Sequence, residues 1–171
     1  MKYLIDTSCL IQAKNTWYAP DIAPSFWSIL FNLIKEKNVE IINPVYQEIK
    51  NGDKDDFLVE WIKKIPGDLI VNEQRSEFLA AYIEISTYVV ANYHDEDKRQ
   101  AFLGNKIADP WLIAIGMVTG ATVVSMEDMV GPDSKKVKIP NICKAMNVNC
   151  IKVYDFLRQE NIVLGPVINE N

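Results

Sequence analysis

Four carboxylates stand at corresponding places along the chain. Asp6 closes the apolar run Tyr3-Leu4-Ile5 and is followed by Thr7 and Ser8. Glu48 lies on the first turns of a helix opened by Asn43-Pro44. Asp109 precedes Pro110 and the apolar run Trp111-Leu112-Ile113-Ala114-Ile115, and Glu127 follows Val123-Val124-Ser125 with Asp128 beside it. Each falls where a strand ends or the next helix begins. Brought together, such acids repel: two like charges about 4 Å apart cost roughly 4 kcal/mol at an effective dielectric near 20. A divalent cation relieves that repulsion, and hard oxygen donors without His or Cys select Mg²⁺ or Mn²⁺ over zinc. The chemistry of such a site is phosphodiester hydrolysis, with the ions stabilising the attacking and leaving oxygens. Thr7, Ser8 and Ser125 are hydroxyls available to orient the acids, and Asp128 competes with Glu127 for the fourth position.

Each acid also has a plainer use. Asp6, Thr7 or Ser8 can cap a helix beginning near Leu10, Asp109 is a good N-cap ahead of Pro110, and a helix glutamate such as Glu48 is commonly solvated. Capping and metal binding are compatible at Asp109, because the free N–H groups and partial positive charge of a helix N-terminus keep an acid ionised. Four acids at corresponding edges are harder to ascribe to capping than one.

The elements that must position these residues follow from hydrophobic periodicity. Tyr3-Leu4-Ile5 reads as a buried strand. Pro24 opens a helix in which Phe26, Leu30, Leu33 and Ile34 recur at helical spacing, ending at Lys35-Glu36-Lys37-Asn38, and Val39-Glu40-Ile41-Ile42 is a second strand. Asn43 is expected to cap the next helix, with Pro44 in its first turn and Asn51-Gly52 closing it. An amphipathic helix is expected over Asp53 to Lys64, then a short strand or extended link at Leu69-Ile70-Val71. A long helix from Gln74 to about Asn92 carries the stripe Phe78, Tyr82, Ile85 and Val89, which reads as core. His94 to Arg99 is a charged turn into a short helix ending near Leu103-Gly104. Beyond the helix at Asp109, a strand at Thr122-Val123-Val124 is followed by a helix from Ile139 to Met146, a strand at Cys150-Ile151 and a closing helix from Tyr154 to Glu160. This alternation predicts a three-layer α/β/α sandwich with a central, mostly parallel sheet: one domain over residues 1–160 and a C-terminal tail over 161–171.

The totals agree with one domain: the chain has 171 residues, 49% of them hydrophobic and 24% charged. A net charge of −5 argues against bulk attraction to nucleic acid or anionic membrane. A local lysine patch can still hold phosphates, and Lys135, Lys136 and Lys138, in the loop after Glu127, are candidates for RNA contact. Cys9, Cys143 and Cys150 are too few and too widely spaced for a disulfide framework, and with His94 as the single histidine no zinc site is written. A reducing cytoplasm and no membrane association are expected.

Ile5-Asp6-Thr7-Ser8, Tyr46-Gln47-Glu48-Ile49, Ala108-Asp109 with its apolar helix, and Val123-Val124-Ser125-x-Glu127 together resemble the PIN-domain ribonucleases, the fold of VapC-type toxins. The resemblance spans Tyr3 to about Leu157. It implies metal-dependent endoribonuclease activity on RNA, a homodimer, and restraint by a cognate antitoxin protein. Carried over, Asp6, Glu48 and Asp109 match the three principal acids and Ser8 the hydroxyl that steadies the first. The last motif departs from the family's Thr-x-Asp, reading Ser125-x-Glu127 with Asp128 next. The segment Pro132 to Pro140 lies outside the minimal pattern and looks like that of a poorly characterised PIN-like branch.

Three other readings make different demands on the same residues. A haloacid-dehalogenase-like phosphatase needs a second Asp where Ser8 stands, and a receiver domain needs paired acids at the first strand, which Glu48 on a helix does not supply. A catalytically silent PIN-like module that binds RNA or protein is compatible with every motif above.

Overall fold

The computed structural model describes residues 2–104 and 106–165. Its first strand is β1 (Tyr3–Ile5), followed by the helices α1 (Thr7–Asn15) and α2 (Pro24–Lys35). Next come β2 (Val39–Ile42), α3 (Asn43–Lys50), α4 (Phe57–Ile62), a 3₁₀ turn at Gly67–Leu69 and β3 (Ile70–Val71). The second half runs α5 (Ser76–Asn92), α6 (Glu96–Leu103), α7 (Asp109–Thr119), β4 (Thr122–Val124), α8 (Ile139–Ala145), β5 (Cys150–Ile151) and α9 (Val153–Gln159).

Five parallel strands form one sheet in the order β3-β2-β1-β4-β5. The chain moves outward from β1 through β2 to β3, then crosses back to β4 on the other side of β1. With right-handed crossovers, that reversal places the two sets of connecting helices on opposite faces. Accordingly α1, α3 and α4 pack together, while α5, α6 and α8 gather around α7. The predicted α/β/α sandwich is therefore observed. Both faces of the sheet are covered, so its strands are continuous apolar runs: Leu4, Ile41, Ile42, Val123 and Val124 are all fully buried.

Where α7 meets β4 the packing is tight. A side chain at Gly116 would lie 2.9 Å from Val148 Cγ1 and 3.2 Å from the Ala121 carbonyl, so only glycine lets the helix come this close. Gly120 ends α7 in the left-handed conformation at φ 71° and turns the chain directly into β4.

Several boundaries differ from expectation for one physical reason: short acidic and amide side chains bind nearby backbone and stop helices from starting early. The helix expected from Asp53 begins only at Phe57, because Asp56 accepts from Leu58 N at 2.7 Å and Asp53 from Asp55 N at 3.2 Å. Likewise α5 starts at Ser76, after Asn72 has taken Gln74 N at 2.9 Å. In the expected tail, Ile162 and Leu164 pack against the core, and residues 166–171 lie outside the described residues.

Candidate functional site

Parallel pairing aligns Ile5 of β1 with Val124 of β4, so the residues just beyond them, Asp6 and Ser125, emerge side by side at the carboxyl edge. The chain path reverses between these two strands, and in open parallel sheets the crevice at such a switch point is where ligands bind. Asp6 N donates to the Val124 carbonyl at 3.0 Å, which carries the sheet one residue past its formal end.

Asp6 occupies the cap position of α1 but does not use its side chain to cap. Its carboxylate is 2% exposed and accepts from the hydroxyls of Ser8 and, at 3.0 Å, Ser125. The two serines are themselves oriented: Ser8 Oγ accepts from Met126 N at 3.3 Å and Ser125 Oγ from Glu127 N at 3.2 Å. Burial pushes the Asp6 pKa above the ordinary carboxylate value, the two hydroxyls pull it back, and the charge of Glu127 raises it further.

Asp109 departs from the expected cap role. It is the first residue of α7, the cap position falls to Ala108, and no described donor reaches its carboxylate. Its pKa is pushed from 3.8 up to about 8, first by burial, then by the charges of Asp6, Glu127 and Glu48, with Lys138 opposing. Asn43 departs in the same way, since α3 begins at Asn43 itself and the side chain makes no capping bond. It donates instead to Glu73 at 3.4 Å and accepts from Gln47 at 3.2 Å.

The two glutamates are engaged by the protein. Glu48 receives the Thr7 hydroxyl on one oxygen and Ala108 N, at 2.9 Å, on the other, tying α3 to the turn before Asp109. Glu127 pairs with Lys138 and accepts from Ile139 N at 2.9 Å, fastening the loop after β4 to the start of α8. Of the two acids after Ser125, Glu127 faces the crevice, whereas the side chain of Asp128 is 91% exposed and pairs with Lys152 at 2.8 Å. The three loop lysines separate too: Lys138 is held on Glu127, while Lys135 and Lys136 are exposed.

The structure thus brings Asp6, Glu48, Asp109 and Glu127 to one crevice, close enough for their charges to act on one another. Among the described residues no three acidic, histidine or cysteine side chains are already gathered around one point as a complete ligand set. The donor chemistry nonetheless fits a hard divalent cation: the donors are all oxygen, and one half-buried carboxylate, Asp109, is opposed by like charges and has no hydrogen-bond partner among the described residues. Lys152 was not singled out by sequence. It donates to Met126 O at 3.0 Å as well as to Asp128, holding the loop that carries Glu127. Its position directly after β5, like that of Asp6 after β1, was the available signal.

A family model described as a domain of unknown function, DUF4411, matches residues 3–164. No curated protein matches the chain in sequence. In three dimensions the chain is similar to one in the crystal structure of VapBC2 from Rickettsia felis bound to a DNA fragment from their promoter. The TM-score is 0.53 and the identity 17%, over 89% of this chain and 98% of that one. At this identity the likeness is one of fold. The chain belongs to the DUF4411 family, and its α/β/α sandwich is similar in fold to a chain of the VapBC2 complex.

Proposed function

We propose that the protein is a Mg²⁺- or Mn²⁺-dependent endoribonuclease, the toxin of a cytoplasmic toxin–antitoxin pair. The observation that carries this reading is Asp109, a half-buried carboxylate without a hydrogen-bond partner among the described residues, set among three other acids and pushed up to about 8 by partial burial and their charge. A stable fold gains nothing from such an arrangement, whereas a site for a divalent cation needs it. Asp6, Asp109 and Glu127 would hold the ion, with Glu48 joining them. The bound ion would stabilise negative charge on the attacking and leaving oxygens of a phosphodiester.

The chain's own groups supply the rest. Ser8 and Ser125 fix the Asp6 carboxylate, and Thr7 sets the direction of Glu48. Lys135 and Lys136, exposed in the loop beyond Glu127, are available to RNA phosphates, and Lys138 balances charge beside Asp109. A cognate antitoxin as protein partner is suggested by the similar solved structure, VapBC2 bound to a DNA fragment from their promoter. A homodimer is the family expectation. Among the described residues no helix is long and apolar enough to cross a membrane.

A second reading, a catalytically silent module that binds RNA or protein, has one observation in its favour: Glu48 and Glu127 are both engaged by protein donors. The test is cleavage of a mixed RNA pool by purified protein with Mn²⁺ or Mg²⁺, beside the same protein in chelator and an Asp6→Asn variant. Cleavage dependent on both metal and Asp6 is expected. Equal behaviour of wild type and Asp6→Asn would favour the silent module.

A further inference from the structure

The acidic crevice continues into a groove of about 520 Å³, because Glu48 belongs to both. Asn43, Gln47, Asn51 and Gln74 line much of this groove with amides, and two further residues of different kinds complete it, Trp111 and Lys106. Trp111 stands two residues beyond Asp109 on α7 and is half-buried. Tyr82 stacks on it with ring centroids 4.3 Å and planes 27° apart, which fixes the orientation of the indole. A large ring bordering a groove of amides and charges leaves apolar surface in water, and a flat ligand would cover it with gain. Lys106 is exposed and makes no ion pair among the described residues.

We propose that this groove is a nucleotide subsite beside the acids, in which one unpaired base of single-stranded RNA stacks on Trp111 and Lys106 holds a neighbouring phosphate. The substrate role rests on the ribonuclease reading above. Aromatic side chains receive bases that are splayed out of a strand, and because every base has a π-face the platform accepts any of the four. The stack Tyr82–Trp111 is then extended by one ring. Lys106 offsets the repulsion that the carboxylates exert on an incoming phosphate, which the chain's net charge of −5 does nothing to relieve. Since Glu48 and Asp109 both lie next to this groove, the stacked base belongs to a nucleotide close to the phosphodiester that is cut.

The experiment is fluorescence anisotropy of the full chain, in chelator to prevent cleavage, with a labelled oligouridylate and a fully abasic oligomer of the same length, which keeps the phosphates and lacks every base. Wild type is expected to bind the oligouridylate roughly tenfold more tightly than the abasic oligomer, the worth of one stacked base. Trp111→Leu is expected to bind both at the abasic level, and Trp111→Tyr, which keeps a ring, to restore most of the preference. A merely structural role for Trp111 would weaken both oligomers alike. Lys106→Ala should flatten the slope of log affinity against log salt by about 0.7 and leave the base preference intact. Equal affinity of wild type for the two oligomers, a base preference that survives in Trp111→Leu, or no binding of either oligomer would overturn the proposal. Should Trp111→Leu not fold, irradiation of wild type with an oligomer carrying 5-iodouridine, mapped by peptide mass spectrometry, decides the matter: attachment at Trp111 is expected, and attachment only elsewhere would overturn it. Base stacking without cleavage of the RNA pool would count against the ribonuclease reading and leave the subsite standing, whereas cleavage without base preference would overturn the subsite alone.

Discussion

Two regions of this protein bury their residues on opposite terms. In the corner between α2 and α4, Trp27 meets Phe57, Trp61 and Phe26 in edge-to-face contacts with centroids 5.0 to 5.3 Å apart. The one polar group of Trp27 is satisfied by the Tyr18 carbonyl at 2.7 Å. Each group there is better off than in water. At the carboxyl edge of β1 and β4, a buried Asp6 and the half-buried Glu48, Asp109 and Glu127 lie within reach of one another's charge, and Asp109 has no hydrogen-bond partner among the described residues. The first region stabilises the fold, and the second draws on that stability. Substitutions in the corner should therefore cost stability, whereas removing charge at the edge should cost activity and return stability.

The largest effect that would sharpen this contrast is at Asp6. Asp6→Asn is expected to reduce metal-dependent RNA cleavage by roughly a thousandfold or more, because one charged ligand contributes several kcal/mol of transition-state stabilisation. Its thermal midpoint should not fall by a comparable amount. A loss of cleavage accompanied by unfolding would break the distinction between the two regions.

The converse substitution is Trp61→Ala. Trp61 is 5% exposed, and its removal should cost about 3 to 4 kcal/mol in denaturant unfolding, with cleavage per folded molecule unchanged.

A smaller effect, of opposite sign, is expected for Asp109→Asn in metal-free protein. The folded pKa of about 8 lies above the unfolded carboxylate value of 3.8, so over that interval the native state keeps a proton the unfolded chain has released. The wild-type protein therefore loses stability as pH rises from about 4 to about 8. The Asn variant should match wild type near pH 4 and exceed it by a few kcal/mol above pH 8, read as the difference between thermal midpoints across the pH series. A variant no more stable than wild type at pH 9 would show that Asp109 finds a partner in solution.

Lys138→Ala should lower stability by no more than about 1 kcal/mol, because the Lys138 and Glu127 side chains are partly exposed, 31% and 18%. It should also tighten Mn²⁺ binding in a calorimetric titration, by freeing Glu127 and removing a cation that opposes the charge around Asp109. The smallest effect belongs to Lys135 and Lys136. Neutralising both should flatten the slope of log RNA affinity against log salt by about 1.4 if each holds one phosphate, and leave unfolding unchanged.

Much of this division can be read along the chain. Val39-Glu40-Ile41-Ile42 and Thr122-Val123-Val124 announce buried strands by continuous apolar runs, and the stripe through Phe78, Ile85 and Val89 announces a core helix, because both signals are periodic and local. The strand-end position of Asp6 and Glu127 is equally local. What periodicity does not carry is the use each polar side chain finds. Asn43 and Asp109 have good capping grammar, yet neither caps, since each helix begins one residue earlier than that grammar requires. Lys138 sits in a run of exposed-looking charge, yet it is held by an acid eleven positions away.

By itself, then, the amino-acid order determined the alternation of strands and helices, the parallel sheet they imply, and the presence of four acids at its carboxyl edge. Those features follow from local patterning and from the limited ways in which apolar faces can be covered. Only the tertiary structure decided which of those acids are satisfied, which of Glu127 and Asp128 faces the crevice, and that Glu73 is buried with one oxygen lacking a hydrogen-bond partner among the described residues. Partners for a buried charge come from distant segments, Thr7 and Ala108 for Glu48, Lys138 and Ile139 for Glu127. Burial and electrostatics depend on distances through space, and those exist only once the chain has folded.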